Sequence, residues 1–338
     1  MGNPSQTPQL KDLVNQMHHM LTYSLAPSTQ RTYSSCFNKY LSFCKTHALN
    51  SLPSVEHNLM LFATHLSNST SFSNIKLHLA AIRHQDILWG YGNDTPKPRL
   101  FMLLRAIKRA QNKKYKRPKR IPITPLLLIK FHQFLASSNL STTNRCMLWA
   151  AATSAFFGFL RSSEFVSPTT RNFDPLSTLL FTDAHISNIQ KCTLEIKSSK
   201  TDPFRYGCSI RLAPTYNSLC PVKALTEYLI LHPTKEGPLF TYEDGSYLTQ
   251  RRLNTILKSA LPSNINNPIS SHSFRIGAAT TAASANIPSW LIKQLGRWNS
   301  NCYQIYIRIP DSTIDNTCTL LAKTMLYSHT WDPETMIQ

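Results

Sequence analysis

Apolar residues along the first third of the chain recur at helical spacing. Leu13, Met17, Met20 and Leu21 form one stripe within 10–25, and Tyr33, Phe37, Tyr40, Leu41 and Cys44 form the next. Pro27-Ser28-Thr29 opens this second helix, with Ser28 or Thr29 as the expected N-cap, because a side-chain oxygen there accepts a free first-turn N–H. Further stripes cover 55–66, 75–88 and about 100–110, with a Ser/Asn/Thr-rich segment, 67–74, between the first two. Periodic segments of this length separated by short polar breaks predict a helical bundle.

Beyond Pro122 and Pro125, helices are expected near 126–137 and 142–160. The period then changes. Leu179-Leu180-Phe181, 193–197 and 208–212 read as strands of a small antiparallel sheet with polar turns between them. Helices resume at 221–231, 249–260, 272–285, 288–296 and about 300–308, and a last stripe passes through Ile314, Leu320, Leu321 and Met325. The expected fold is mainly α with a small antiparallel sheet. It divides into a helical domain, 1–112, a linker, 113–122, and a mostly helical domain with a sheet insert, 123–338. No internal repeat points to a solenoid.

A chain of 338 residues, 42% hydrophobic, is long enough for two cores. Lysine and arginine number 36 against 17 acidic residues, a formal net charge of +19, which calls for a polyanionic partner. Nucleic acid fits better than a membrane surface, since no lipidation motif, signal peptide or apolar run of spanning length is present. The most apolar stretch, 149–160, is too short to span and contains Thr153 and Ser154, so it reads as a buried helix. The eight cysteines are scattered without C-x-x-C or zinc-like spacing and read as reduced thiols, which suits the nucleus of a eukaryotic host or otherwise the cytoplasm. There is no H-E-x-x-H and no glycine-rich phosphate loop. No metal or other cofactor is expected, and phosphate chemistry falls to side chains.

Charge is concentrated between Lys97 and Arg120, where eleven of twenty-four residues are basic and none is acidic. A solvated helix face, a nuclear-localisation signal and a strap lying on DNA phosphates all fit this run, and they are compatible. Arg105, Lys108, Arg109, Lys113, Lys114, Lys116, Arg117, Lys119 and Arg120, with Arg31 on the second helix, are the candidate DNA contacts.

The chemistry-bearing stretch is Ser271-His272-Ser273-Phe274-Arg275-Ile276-Gly277, then Leu295-Gly296-Arg297-Trp298, then Tyr303-Gln304-Ile305-Tyr306-Ile307-Arg308. His272 and Arg275 are three apart, so on a helix they share a face and can address one phosphate. Singly, each residue has an ordinary reading: a histidine at a helix start as a cap, a tyrosine among isoleucines as core. Together with Gly158-Phe159-Leu160-Arg161-Ser162-Ser163-Glu164 and Lys200 in Ile196-Lys197-Ser198-Ser199-Lys200-Thr201-Asp202, they resemble the catalytic domain of the tyrosine recombinases. The resemblance is nearest to the versions carried by eukaryotic mobile elements of the DIRS and Crypton kinds. Ser28-Thr29-Gln30-Arg31-Thr32-Tyr33 is similar to the opening of that family's core-binding domain. One departure stands out: Trp298 precedes Tyr306 by eight residues, where the family more often shows nine.

The resemblance implies a site-specific recombinase or integrase with Arg161, Lys200, His272, Arg275, Trp298 and Tyr306 in catalytic roles. Tyr306 would join to a DNA 3′ phosphate without metal or nucleotide. It also implies double-stranded DNA as partner and a homotetramer acting on two DNA sites, monomeric or dimeric when free. The stripe from Ile314 to Met325 would be either exchanged between protomers or docked on its own domain. Chemically, guanidinium forks suit a phosphate gaining charge, and a tyrosine hydroxyl near its usual pKa of about 10 needs a proton acceptor, for which His272 is placed. Lys200 would protonate the departing 5′ oxygen, and Glu164 would hold an arginine or cap the helix turn. Lys197 competes with Lys200, but strand alternation groups it with Thr193 and Glu195. Tyr303 competes with Tyr306, which has the family-like Tyr-Ile-Arg context. A type IB topoisomerase and an inactive DNA-binding protein on the same fold are the alternative functions.

Overall fold

The computed structural model describes residues 8–91, 96–114, 119–187, 191–199, 202, 204–260, 268–309, 314–316 and 319. The chain forms two compact units, Met1–Arg117 and Pro118–Gln338.

The first unit is helical: α1 (Pro8–Thr22), α2 (Pro27–Thr46), α3 (Glu56–Ser67), α4 (Phe72–Leu88) and α5 (Pro98–Lys114). Its core is made by the apolar stripes of α2 to α5, with Tyr40, Phe62, Ile75, Ile82 and Ile107 buried together. The aromatic stripe of α2 meets α3 through Tyr40 and Phe62, whose rings lie 5.1 Å apart. Helix α2 starts two residues earlier than a Ser28 cap implies. Ala26 is the N-cap, with no side-chain hydrogen bond, and Pro27 supplies the first turn, where its missing N–H is harmless. Polar side chains close the loops: Gln111 donates to the carbonyls of Ser67 and Thr70, and Glu56 accepts from the Leu100 N–H. On α1, Leu13, Met17 and Met20 stay exposed.

The second unit begins with α6 (Pro125–Ser137), α7 (Thr142–Phe157) and the single turn α8 (Ser162–Phe165). Helix α7 takes in the 149–160 run as far as Phe157, where Gly158 ends it, and from Met147 to Phe156 every residue is buried, as expected of a helix at the centre of a core. Thr153 keeps its hydroxyl satisfied on the carbonyls of Trp149 and Ala150. The sheet follows, β1 (Ala184–Ser187), β2 (Lys191–Ile196) and β3 (Cys208–Leu212), antiparallel in that order. Cys192, Leu194 and Ile196 alternate into the core. Then come α9 (Pro221–Leu231), α10 (Gln250–Ala260), α11 (His272–Ser284) and α12 (Ser289–Leu295), and the 3-10 helix Asn301–Tyr306.

Two expected elements differ. Residues 179–181 are not a ladder strand: they form a short bridge with 237–239, and the Asp183 carboxylate takes the Leu180 N–H and turns the chain into the 3-10 turn Phe181–Asp183. The segment near 300–308 is a 3-10 helix rather than an α-helix, and it ends by donating the Ile307 N–H to the Gln304 carbonyl. Of the final stripe, Ile314 is described and exposed, while Leu320, Leu321 and Met325 lie outside the described residues.

Candidate active site

Three chain turns build the site, and each is placed by a specific contact. Residues 121–124 cross the start of α11, where the Ile123 N–H donates to the Ser273 carbonyl at 3.0 Å. The crossing is so close that a Cβ on Gly277 would sit 1.9 Å from the Ile123 carbonyl oxygen, so only glycine fits. The Ser162 and Ser271 hydroxyls meet at 2.7 Å and tie α8 to the start of α11. At the end of α12, a Cβ on Gly296 would collide with the Trp298 ring at 1.6 Å, so this glycine lets the indole fold back over the site.

Those turns bring Arg161, Glu164, His272, Arg275, Trp298 and Tyr306 together. Arg275 is fully buried. Its terminal nitrogens donate to the carbonyls of Phe159 and Gly296, its carbon lies 4.2 Å from the centre of the Trp298 ring, and its Nε–H has no partner among the described residues. The buried Glu164 carboxylate accepts the Arg161 backbone N–H and its guanidinium, both at 2.8 Å, so it both caps the turn and holds the arginine. The His272 ring meets the Tyr306 ring edge-on at 5.2 Å, and the indole of Trp298 lies 5.3 Å from the same tyrosine. Thr280 anchors the end of the 3-10 helix by donating to the Tyr306 carbonyl and accepting the Arg308 N–H.

Tyr303 and Tyr306 are separated by this geometry. Tyr303 is buried against Trp298, whereas Tyr306 is half-buried and faces His272. Lys197 is committed elsewhere: its ammonium pairs with Asp183 at 2.9 Å and donates to the Pro175 carbonyl. Lys200 lies outside the described residues. The family-like nine-residue step lands on Arg297 rather than Trp298. Here the two neighbours divide the space: Trp298 stacks toward Tyr306, and Arg297 turns inward to Glu164 at 2.7 Å. Sequence reasoning missed Arg297. Its visible signals were its position beside Trp298 and its nine-residue step to Tyr306.

Electrostatically the site is short of negative charge. Among the described residues, Arg161, Arg275 and Arg297 converge on the single carboxylate of Glu164. Burial first, then the nearby Arg161 and Arg297 charges, pull the Arg275 guanidinium down to about 9. Burial, followed by the charges of Arg120, Arg275 and Arg161, pulls His272 from 6.5 down to about 4, so it is neutral near pH 7 with a lone pair to offer. Backbone strain gathers at the same place. Phe159 (φ 49°) and Arg297 (φ 54°) both adopt the left-handed conformation, which costs about 1–3 kcal/mol for a non-glycine residue.

The basic candidates fall at the surface. Arg31 is exposed on α2 along an open groove shared with Ser34, Asn38, Lys39 and Ser42. Arg105, Lys108 and Arg109 are exposed on α5, with Arg105 over the Phe101 ring at 4.7 Å. Lys113 and Lys114 lie in the last turn of α5, Lys119 and Arg120 are exposed, and Lys116 and Arg117 lie outside the described residues. The charge of Arg120 reaches His272, which places the end of the basic run beside the site.

Neither a protein-family model nor a curated protein matches this chain by sequence. Solved structures do match by fold. The XerH site-specific recombinase in a post-cleavage complex with a palindromic difH substrate superposes with a TM-score of 0.55 at 17% identity, over 86% of this chain and 79% of that one. A lambda integrase dimer bound to a COC′ core site gives 0.56 at 15% identity, over 88% of this chain and 95% of that one. A lambda integrase tetramer bound to a Holliday junction gives 0.56 at 14% identity, over 88% and 77%. A mostly helical chain with a small three-stranded antiparallel sheet, this is the fold of the tyrosine recombinases and integrases.

Proposed function

We propose that this chain is a site-specific recombinase of a mobile element, of the DIRS or Crypton kind, that cuts and rejoins duplex DNA by transesterification. The Tyr306 hydroxyl attacks a phosphodiester, forming a 3′-phosphotyrosyl bond and breaking the bond to the 5′ oxygen. His272 takes the tyrosine proton and Lys200 gives one to the departing 5′ oxygen, which leaves as a hydroxyl. A partner strand's 5′ hydroxyl then reverses the step, so no outside energy source is consumed. Four protomers on two DNA sites complete the exchange.

The observation that carries this reading is Tyr306 lying against a neutral His272 at the rim of a site holding three guanidiniums and one carboxylate. A buried excess of positive charge is expensive unless an anion completes it. A phosphodiester does so, and as it gains charge in the transition state it is stabilised further. Arg161 presents its guanidinium to the non-bridging oxygens, while Arg275 adds charge from beneath the Trp298 ring. His272 at about 4 is a weak base in the free protein. A bound phosphate raises its basicity by opposing the three nearby cations, so proton transfer is favoured when substrate is present.

The test is to incubate the full chain with a randomised library of nicked suicide duplexes and to recover covalent protein–DNA adducts under denaturing conditions. Wild type should yield adducts enriched for particular sequences, and Tyr306→Phe none. Absence of adducts with wild type, or their persistence with Tyr306→Phe, would contradict the assignment.

A further inference from the structure

Arg297 is not in the set expected to handle phosphate, yet its guanidinium is turned inward, with its side chain only 18% exposed. One nitrogen donates to the Gly158 carbonyl at 3.1 Å. The other donates to Glu164 Oε2 at 2.7 Å and to the Phe159 carbonyl at 3.4 Å. The link runs both ways, since an Arg161 nitrogen reaches the Arg297 carbonyl at 3.5 Å. Arg297 thereby stitches the turn that carries Arg161 to the turn that carries Trp298, two segments more than 130 residues apart in sequence.

Glu164 is the shared element. Its Oε1 holds the Arg161 guanidinium, and its Oε2 is divided between the Arg161 backbone N–H and Arg297. With both oxygens fixed, the carboxylate cannot rotate, and the Arg161 fork is held at one position and one tilt. Phe159, in its left-handed conformation, aims one carbonyl at both Arg297 and Arg275. Both strained residues of the site, Phe159 and Arg297, are among those whose backbone carbonyls this network holds.

We propose that Arg297 is a positioning residue for Arg161, acting through Glu164, and that it governs the rate of strand cleavage rather than DNA affinity. The inference rests on the transesterification reading for its rate component. Remove Arg297 and Glu164 Oε2 loses its charged partner, the Gly158 carbonyl loses its donor, and the Arg161 fork is freed to follow the carboxylate. Surface lysines and arginines would still hold the duplex, so binding persists while the phosphate is poorly aligned. A lysine at this position can reach Glu164 but not the two carbonyls with it, since it carries one compact ammonium in place of a planar fork. A glutamine can donate to a carbonyl but cannot pair with Glu164 as a cation. The order expected is arginine, then lysine, then glutamine, then alanine.

The experiment compares wild type with Arg297→Lys, Arg297→Gln and Arg297→Ala in the full chain. It measures adduct rate at saturating nicked duplex, duplex affinity in the Tyr306→Phe background, and amide exchange across 158–166. Misplacement of a phosphate-holding group by about 1 Å lowers rate by about a hundredfold, which is the loss expected for Arg297→Ala. Affinity should stay within about threefold, as expected when an interaction matters only in the transition state. Exchange should rise at 158–166, and lysine should restore part of both properties. Rate and affinity falling together, exchange at 158–166 unchanged, or lysine behaving no better than alanine would each overturn the proposal. Should Arg297→Ala fail to fold, the lysine and glutamine variants carry the same comparison. Should wild type form no adduct, the transesterification reading fails on its own, and exchange at 158–166 still decides whether Arg297 locks the Arg161 turn.

Discussion

The two units of this chain treat cationic side chains differently. In the first, the core is mainly apolar and aromatic, the buried Asp86 carboxyl is held by the Ser54 N–H and hydroxyl, and Arg31, Arg105, Lys108 and Arg109 stand in solvent. In the second, Arg275 and Glu164 are buried and Arg161 and Arg297 nearly so, within one small volume. A solvated charge costs the fold little and can neutralise a phosphate wherever the duplex offers one, giving affinity without geometry. A buried charge costs several kcal/mol and survives only where partners hold it, giving geometry instead. On the proposed function, grip falls to the exposed basic surface and chemistry to the buried site.

That division is broken most severely at Arg275. Arg275→Ala leaves the Gly296 carbonyl without this donor, leaves the Phe159 carbonyl only its 3.4 Å bond from Arg297, and opens a gap beneath Trp298. Losing one partner of a buried charged network costs about 3–5 kcal/mol, so the urea midpoint should fall sharply and adduct formation should cease. A variant of wild-type stability would show that Arg275 is not the keystone described. Smaller, and opposite in kind, is the triple substitution of Arg105, Lys108 and Arg109 to alanine. Stability should be unchanged, duplex affinity should drop, and the log–log salt slope should shrink by about 0.9 for each phosphate no longer neutralised. An unchanged slope would remove α5 from the DNA-facing surface.

The smallest effect is in pH. The unfolded chain protonates His272 near 6.5, whereas the folded chain does so only near 4, so the unfolded state binds more protons between those values. Stability from this group is thus present above pH 6.5 and is lost as pH falls toward 4. His232, His132 and His84 are lowered by burial as well, so the His272 share is the difference between wild type and His272→Gln in urea midpoints across that range. Identical pH slopes for the two proteins would contradict the buried, neutral histidine.

Much of this was legible in the sequence because it depends on period and order. Helices such as α7, α9 and α11 follow from apolar spacing, and the gathering of Arg161, His272, Arg275, Trp298 and Tyr306 is what the resemblance carried by their order implies. What was not legible depends on single hydrogen bonds and backbone angles. The 179–181 segment carries strand-like residues but is bent by the Asp183 cap, and α2 begins on Pro27 although hydroxyl caps stand beside it. The inward turn of Arg297 depends on a left-handed backbone and on carbonyls from a distant turn, neither of which leaves a periodic trace. Glu164 was recognisable as an arginine's partner, but not as the partner of two.

The central claim is that Tyr306, facing His272, is the nucleophile, while Tyr303 is a packing residue behind Trp298. Trypsin cuts after Arg297 and Arg308, so one peptide, 298–308, contains both tyrosines. Trapping wild type on a nicked suicide duplex, digesting both components and sequencing that peptide by mass spectrometry would locate the attached nucleotide. A 3′-linked nucleotide on Tyr306 is the predicted result, and a nucleotide on Tyr303, or a 5′ linkage on either tyrosine, would contradict it.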